Sequence, residues 1–247
     1  MANTSIASPS SSPLAQFPSL RGMRVFITGG GSGIGAAMVE AFAEQGAQVA
    51  FVDFEQAQSE ALVQKVAAAG CPKPWFQLCD VRYVGALQAA INQALVEVGD
   101  FATLVNNVAR DDRHTLEAVT PAYWDERIAV NQRPAFFAIQ SVVPGMKRLG
   151  GGSIINMGST GWQTKGSEFP LYAIAKSSVN GLTRSLAGSM GPHRIRVNTV
   201  SPGWVMTERQ IKLWLNADGE EAIQRNRQCL PDKLQATGVA RRVLLLA

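Results

Sequence analysis

Two residues spaced for proton chemistry lie in the segment EFPLYAIAKSSVNGL. Tyr172 precedes Lys176 by four positions, so both side chains lie on one face of a helix. A phenol with a pKa near 10 is ionised in only about one molecule in a thousand at neutral pH. A neighbouring ammonium group favours the phenolate, and a pKa lowered by about two or three would bring this base near the working pH. We therefore expect Tyr172 to be a general base whose pKa is lowered by Lys176.

The same pair has an ordinary structural explanation. A lysine on an amphipathic helix often lays its aliphatic stem along a half-buried aromatic ring and keeps its ammonium group in water. The spacing alone does not separate the two interpretations, so the rest of the chain must.

A glycine-rich segment supplies independent evidence. TGGGSGIG, Thr28 to Gly35, follows an apolar run and opens a segment of helical period. Glycines there let the backbone approach a pyrophosphate, and the N–H groups at the helix start face its charge. The next apolar run ends in Asp53, whose carboxylate can bind a ribose 2′-OH and would repel a 2′-phosphate. The alternative is a simple glycine-rich turn, but the whole pattern predicts a dinucleotide site that prefers NAD to NADP.

Short apolar runs alternate with helical segments along the chain. The predicted strands lie in MRVFITGG, AQVAFVDF, PWFQLCDV, FATLVNNVA, GSIINMGS and IRVNTVSPG. One long helix is predicted over YWDERIAVNQRPAFFAIQSVVPGMKRL, residues 123–149. Such alternation predicts an α/β protein of a single domain, a Rossmann-type, doubly wound parallel sheet with helices on both faces. Functional loops should lie at the carboxyl ends of the strands.

The two ends of the chain differ from this pattern. Residues 1–20 are rich in Ser and Pro, lack the apolar core of a signal peptide, and are predicted to be a flexible tail. The domain is predicted to span residues 21–247. Its last segment, VARRVLLLA, is predicted to be a helix, and the strand expected after it is missing.

Composition excludes several classes of function. A formal charge of +4, without a concentrated basic stripe, argues against nucleic-acid binding. No apolar run approaches the roughly 20 residues of a membrane span. The only histidines, His114 and His193, have no partners at metal-site spacing, so no metal is predicted. An odd set of cysteines without CxxC spacing indicates a reducing, cytoplasmic location; it comprises Cys71, Cys79 and Cys229.

Several motifs together resemble the short-chain dehydrogenase/reductase family. They are TGxxxGxG at 28–35, CDV at 79–81, NNVA at 106–109, Asn131 in IAVNQ, Ser159 in NMGST, YxxxK at 172–176 and SPGWVMT at 201–207. They occur in the family's order and cover nearly the whole chain after residue 20. In NNVA, Val108 and Ala109 replace the smaller Ala and Gly of the family's NNAG. These larger side chains are expected to narrow the space beside the cofactor.

The resemblance assigns roles. It implies a catalytic set of Asn131, Ser159, Tyr172 and Lys176. Ser159 would position the substrate oxygen, Lys176 would bind the nicotinamide ribose, and Asn131 would bend its helix and hold a water that links Lys176 to solvent. The positive ring of NAD⁺ would also favour the phenolate. The implied NAD-binding residues are Gly29, Gly31, Ser32, Gly33, Ile34, Gly35, Asp53, Phe54, Asp80, Val81, Asn107, Val108, Ala109, Tyr172, Lys176, Pro202, Gly203, Val205 and Thr207. The resemblance also implies a homo-oligomer, commonly a tetramer.

The segment RDDRHTLEAVTPAYWDERIAVN, with PSLRG, VMTERQ and QCL, resembles bacterial NAD-dependent aldose 1-dehydrogenases acting on D-galactose, L-arabinose or D-xylose. This resemblance implies oxidation of the C1 hydroxyl of an aldose to a lactone. Polar groups and a stacking ring are needed to bind such a sugar. The candidate substrate-binding residues are Ser159, Thr160, Trp162, Gln163, Tyr172 and Trp204.

Three alternatives stay open. Arg110 could favour an anionic substrate such as a 2-keto-3-deoxy sugar acid, because a long cation would lie close to the nicotinamide. His114 and the DDR segment could bind substrate or simply form salt bridges within a loop. A protein that binds NAD without catalysis is a third possibility, although Ser159, Tyr172 and Lys176 are all present.

Overall fold

The computed structural model describes residues 15–164, 166–215 and 232–247. Six strands form one entirely parallel sheet, which confirms the predicted sheet, and their order is β3-β2-β1-β4-β5-β6. Their bounds are β1 Arg24–Thr28, β2 Gln48–Asp53, β3 Trp75–Leu78, β4 Thr103–Asn106, β5 Gly152–Met157 and β6 Ile195–Val200. Of the predicted features, Cys229, the QCL segment and residues 1–14 lie outside the described residues.

Helices cover both faces of the sheet. They are α1 Gly33–Glu44, α2 Gln56–Ala68, α3 Val84–Glu97, α4 Pro121–Asn131, α5 Arg133–Arg148, α6 Pro170–Met190, α7 Glu208–Trp214 and α8 Ala236–Leu246. One apolar cluster joins α1, α2 and α8 to one face, and a second joins α3 and α5 to the other. Alternate β1 residues divide between the clusters, with Ile27 in the first and Phe26 in the second. Strands buried on both faces explain why their sequences are continuously apolar.

The strand order reverses beside β1. From β1 the chain goes to β2 and β3 on one side, then crosses over to β4, β5 and β6 on the other. Loops that leave β1 and β4 therefore separate at their carboxyl ends and open a crevice, which is where ligands bind in doubly wound sheets. The glycine loop follows β1, and the segment from Asn107 to His114 follows β4.

The single long helix predicted over residues 123–149 is wrong. The structure has two helices, because Gln132 leaves helical geometry at φ −127° and ψ −55° between α4 and α5. Pro134, two residues later, has no N–H to donate back into α4. The apolar period continues across the break, so the pattern gave no sign of it. The break places Asn131 at the end of α4, close to Arg110.

The predicted tail is packed at its carboxyl end. Pro18–Leu20 forms a 3₁₀ turn, and Leu20 is buried in the cluster that holds α1. The backbone N–H of Phe17 donates to Gln45 Oε1 at 2.8 Å. The packed part of the chain thus begins before residue 21.

Candidate active site

The glycine loop needs glycine for steric reasons. Gly29 and Gly33 have φ values of +69° and +53°, which side chains with a Cβ rarely adopt. A Cβ at Gly35 would overlap the carbonyl oxygen of Gly29. Glycine at these positions therefore lets β1 turn tightly into α1, with the first N–H groups of α1 facing the crevice.

Asp53 supports this loop from the end of β2. Its Oδ2 accepts from the N–H of Gly31 at 2.8 Å, and its Oδ1 accepts from the N–H of Glu55 at 3.0 Å. The side chain is buried, and a Cβ at Gly31 would overlap Ser59. A carboxylate has about four acceptor positions, so two stay available for the hydroxyls of a ribose.

Asn107 holds the loop from the other side of the crevice. Its N–H donates to Thr28 Oγ1 at 3.0 Å, and its Nδ2 donates to the carbonyl of Gly29 at 2.8 Å. Val108 packs against Gly29. The NNVA segment is thereby fixed to the glycine loop across the point where the strand order reverses.

The other predicted cofactor residues surround the same crevice. Thr207 begins α7 and lies close to Gly33, while the N–H of Thr160 donates to the carbonyl of Pro202 at 3.0 Å. Asp80 is bound by Arg82, whose nitrogens lie as close as 2.6 Å. Ile34 lies in the first turn of α1, Gly203 follows Pro202, and Val81 and Val205 are buried. The exposed members are Ser32, Gly33, Phe54, Ala109 and Gly203.

Tyr172, Ser159 and Lys176 come together beside this crevice. Tyr172 lies in the first turn of α6, and the Ser159 side chain is close enough to its phenol to lower the pKa of Tyr172. Lys176 is 3% exposed, and its Nζ lies 5.9 Å from the centre of the Tyr172 ring. That Nζ donates to the carbonyl of Met157, at the end of β5, at 2.6 Å. The Tyr and Lys therefore share one buried face, which excludes a lysine extending into water.

The sequence predicted a lowered pKa for Tyr172. The surroundings of Tyr172 in the folded chain raise its pKa instead. Burial raises the pKa of Tyr172 to about 12, although the neighbouring Ser159 side chain acts in the opposite direction. Burial also lowers the pKa of Lys176 to about 8. A buried site penalises the charged form of each group, and burial is the largest influence on both pKa values.

Asn131 faces a small closed cavity next to Lys176. Its Oδ1 accepts from the N–H of Arg110 at 2.7 Å, whereas its buried Nδ2 has no partner among the described residues. Asn106 Oδ1 is likewise buried without a partner. The cavity has a volume of about 20 Å³, and its lining includes both asparagines and Lys176. Such a volume accommodates one water molecule.

The predicted substrate residues divide into two groups. Ser159 and Tyr172 meet, and Trp204 is anchored by a hydrogen bond from its Nε1 to Gln210 Oε1 at 2.8 Å. Trp162 and Gln163 lie exposed in the turn after Ser159. Thr160 is held by Pro202, so its role is at least partly structural.

Residues of the loop after β4 contribute more than the sequence suggested. The guanidinium of Arg113 lies 4.5 Å from the Phe169 ring centre and 5.0 Å from that of Trp214. Asp111 accepts from Gln210 Nε2 at 2.8 Å. The DDRH motif was the only signal for this cluster in the sequence, because the aromatic partners come from distant segments.

Arg110 is paired and is not a free cation. Its Nε lies 3.2 Å from Asp112, which also forms ion pairs with Arg127 and Arg209. The surrounding arginines hold the pKa of Asp112 below its usual range, although burial acts in the opposite direction. The salt-bridge interpretation therefore applies to Arg110 and Asp112.

The site fits a dinucleotide. The glycine backbone leaves a cradle that a Cβ at Gly35 would block, and Asp53 retains acceptor capacity beside it. Ser159, Tyr172 and Lys176 stand at the same crevice. This fold and site define a dinucleotide-dependent oxidoreductase. Within the described ranges, no group of His, Cys, Asp and Glu could hold a metal ion, and no helix is long and apolar enough to cross a membrane.

The chain belongs to the short-chain dehydrogenase family, whose model matches residues 23–218. It is 51% identical to a probable galactose dehydrogenase of Rhizobium meliloti over 237 residues, covering 95% of this chain and 91% of that protein. It is 47% identical to a D-xylose 1-dehydrogenase of Caulobacter vibrioides over 233 residues, covering 94% and 91%. The structure of a short-chain dehydrogenase/reductase from Serratia marcescens superposes with a TM-score of 0.85 at 33% identity, covering 92% of this chain and 91% of that one.

Proposed function

We propose that the protein is an NAD-dependent aldose 1-dehydrogenase that oxidises the C1 hydroxyl of a sugar such as D-galactose to its lactone. The observation that carries this proposal is the meeting of Ser159, Tyr172 and Lys176 beside the glycine-loop crevice. The relatives named as a probable galactose dehydrogenase and a D-xylose 1-dehydrogenase support the choice of substrate class.

The residues divide the proton chemistry among them. Ser159 donates a hydrogen bond to the substrate oxygen, and Tyr172 removes the hydroxyl proton. Lys176 favours the phenolate by its charge, and a water molecule in the Asn131 cavity would pass the proton onward from it. The glycine loop and Asp53 would hold NAD, which would supply the acceptor for the hydride of C1. The balanced products are the lactone, NADH and one proton.

NAD is proposed over NADP because of Asp53. Its buried carboxylate ends β2 beside Gly31, where a 2′-phosphate would bring a second negative charge. We expect kcat/KM to be at least about tenfold higher with NAD than with NADP. Comparable values with the two cofactors would contradict the assignment while leaving the aldose activity in place.

The aldose is favoured over the sugar acid, because the Arg110 cation that would attract an anionic substrate is paired with Asp112. A protein that binds NAD without catalysis is not favoured either. Such a protein usually lacks the catalytic Tyr, Lys or Ser, and this chain has all three.

The decisive experiment follows NADH formation with a panel of aldoses, secondary alcohols and sugar acids. We expect turnover of at least one aldose, and a fall of about 10²- to 10⁴-fold in kcat for Tyr172→Phe with NADH binding retained. Absence of turnover for every aldose would contradict the proposal. Unchanged turnover in Tyr172→Phe would favour a protein that only binds the cofactor.

We further propose a cytoplasmic homotetramer. Cys71 and Cys79 are free thiols, and the exposed Trp124, Phe136 and Ile174 lie on α4, α5 and α6. Sedimentation velocity at several protein concentrations tests the assembly, and a concentration-independent monomer would contradict it.

A further inference from the structure

The guanidinium of Arg113 is held one ring away from the proposed base. It stacks between Phe169 and Trp214, at 4.5 Å and 5.0 Å from the ring centres. The Phe169 ring in turn meets the Tyr172 ring edge-on, with 5.6 Å between centroids and an interplanar angle of 90°. Arg113 is therefore placed by two aromatic rings, one of which contacts Tyr172, together with a long ion pair of 3.7 Å to Asp111.

The donors of Arg113 are largely unused. A guanidinium carries five N–H groups, yet Arg113 donates no hydrogen bond to any residue within the described ranges. Its nearest carboxylate oxygen belongs to Asp111 at 3.7 Å, beyond hydrogen-bond length. Its side chain is only 22% exposed, so solvent reaches few of these donors. The indole N–H of Trp214 is also buried and has no hydrogen-bond partner in the described part of the chain. Half-buried donors without acceptors indicate a ligand that supplies oxygen atoms.

Asp111 provides the matching acceptor. Gln210 Nε2 donates to one carboxylate oxygen at 2.8 Å, and Gln210 is itself fixed by Trp204. Its other oxygen lies 3.8 Å from Arg209, an ion pair beyond hydrogen-bond length, so this oxygen can still accept a hydrogen bond. Both charges act on the phenol of Tyr172, since Asp111 raises the pKa of Tyr172 and Arg113 lowers it. The pair thus lies within electrostatic reach of the reacting end of the site.

We propose that Arg113 and Asp111 form the substrate-binding pair that selects a neutral polyhydroxylated substrate, with Arg113 donating to a substrate oxygen and Asp111 accepting from an adjacent hydroxyl. A cation and a carboxylate 3.7 Å apart suit neighbouring hydroxyls, because each hydroxyl both donates and accepts. A substrate carboxylate would meet repulsion from Asp111. This inference rests on the proposed aldose 1-dehydrogenase function and assigns its specificity.

The test compares Arg113→Met, which retains an apolar stem against both rings, with the near-isosteric Asp111→Asn. Each variant should lower kcat/KM for the aldose that the wild type oxidises best by about tenfold or more, through KM. Asp111→Asn should also raise the ratio of sugar-acid to aldose turnover. The charge-matched controls are Arg148→Met and Asp100→Asn, which break a remote ion pair of 2.6 Å and should leave activity unchanged.

The pH profile supplies a readout that a purely structural role would not move. The charged groups that face the Tyr172 phenol are Lys176 on the same helix and Asp111 and Arg113 from the loop after β4. Loss of the Arg113 cation should move the rising limb of kcat/KM to higher pH, and loss of the Asp111 charge should move it to lower pH. If the rising limbs of the two variants shift in the same direction, the proposal is overturned.

The outcomes separate the inference from the function beneath it. A wild type without aldose turnover refutes the proposed function. An active wild type whose Arg113→Met and Asp111→Asn variants lose less than about twofold in kcat/KM refutes the pair alone. Thermal unfolding and NADH binding show whether each variant is folded. If Arg113→Met is not, Arg113→Lys keeps the cation but loses the planar donors, and it should still lose aldose turnover.

Discussion

His114 Nε2 accepts a hydrogen bond from the backbone N–H of Leu171 at 3.2 Å. Leu171 lies in the first turn of α6, directly before Tyr172, where N–H groups have no partner within the helix. Phe169, the N-cap residue of α6, makes no side-chain capping hydrogen bond. The other ring nitrogen of His114 lies 2.9 Å from the carbonyl of Asp112. The loop after β4 thereby fixes the helix turn that presents the proposed base.

Replacing His114 should therefore affect catalysis through the position of Tyr172. Glutamine places an amide oxygen near the position of Nε2 and can accept from Leu171, whereas the shorter asparagine cannot. We expect His114→Asn to lower kcat by about five- to tenfold, the equivalent of one hydrogen bond. His114→Gln should recover most of that loss, with KM for the cofactor unchanged in both variants.

Steady-state kinetics with saturating cofactor provide the measurement for the two His114 variants. Equal kcat values for Asn and Gln would show that the ring serves packing and not capping. A change confined to thermal stability, with wild-type kcat, would have the same meaning.

Oxidation by Tyr172 should accelerate as pH rises. Burial raises the pKa of Tyr172 to about 12, so at neutral pH the phenol is protonated and only its small phenolate fraction can accept a proton. That fraction grows about tenfold for each pH unit below the pKa. We expect kcat/KM for alcohol oxidation to increase across the alkaline range. A profile that is flat from about pH 7 to about pH 10 would contradict Tyr172 as the titrating base.

Lys176 should make the stability of the fold depend on pH. Burial lowers its pKa from 10.5 to about 8. Below pH 8 the folded and unfolded states are both charged, and burial of the cation opposes folding by about 3 kcal/mol. Between these pKa values only the unfolded chain keeps the proton, so the free energy of unfolding rises with pH. Above 10.5 this penalty is gone.

Lys176→Met removes the titrating group and should flatten this rise. Urea unfolding at about pH 7 and about pH 10 measures the difference, which should be about 2 to 3 kcal/mol smaller in the variant. Lys65→Met is the control, because Lys65 is 68% exposed in its pair with Glu40. Identical pH dependence in wild type and Lys176→Met would contradict the buried-cation assignment.

Local sequence was sufficient for the sheet and the glycine loop. Each strand is a short apolar run, and the steric demands at Gly29 and Gly35 arise within a few residues of the chain. The break at Gln132 was missed because apolar spacing continues through it. The pKa of Tyr172 depends on how deeply α6 is buried, which no spacing reveals. The two aromatic contacts of Arg113 involve Phe169 and Trp214, which are distant in sequence, so they form only after the chain has folded.

Two glycines, Gly35 in α1 and Gly85 in α3, provide a matched pair of alanine substitutions. A Cβ at Gly35 in α1 would overlap the Gly29 carbonyl, whereas nothing lies within 4 Å of a Cβ at Gly85 in α3. Gly35→Ala must displace the loop, and we expect KM for the cofactor to rise by about tenfold or more, with a loss of about 1 to 3 kcal/mol in stability. Gly85→Ala should stabilise the fold by about 0.5 to 1 kcal/mol, because alanine restricts the unfolded chain. Cofactor titrations and urea unfolding of both variants check this contrast, and wild-type cofactor affinity in Gly35→Ala would show that the loop does not hold the dinucleotide.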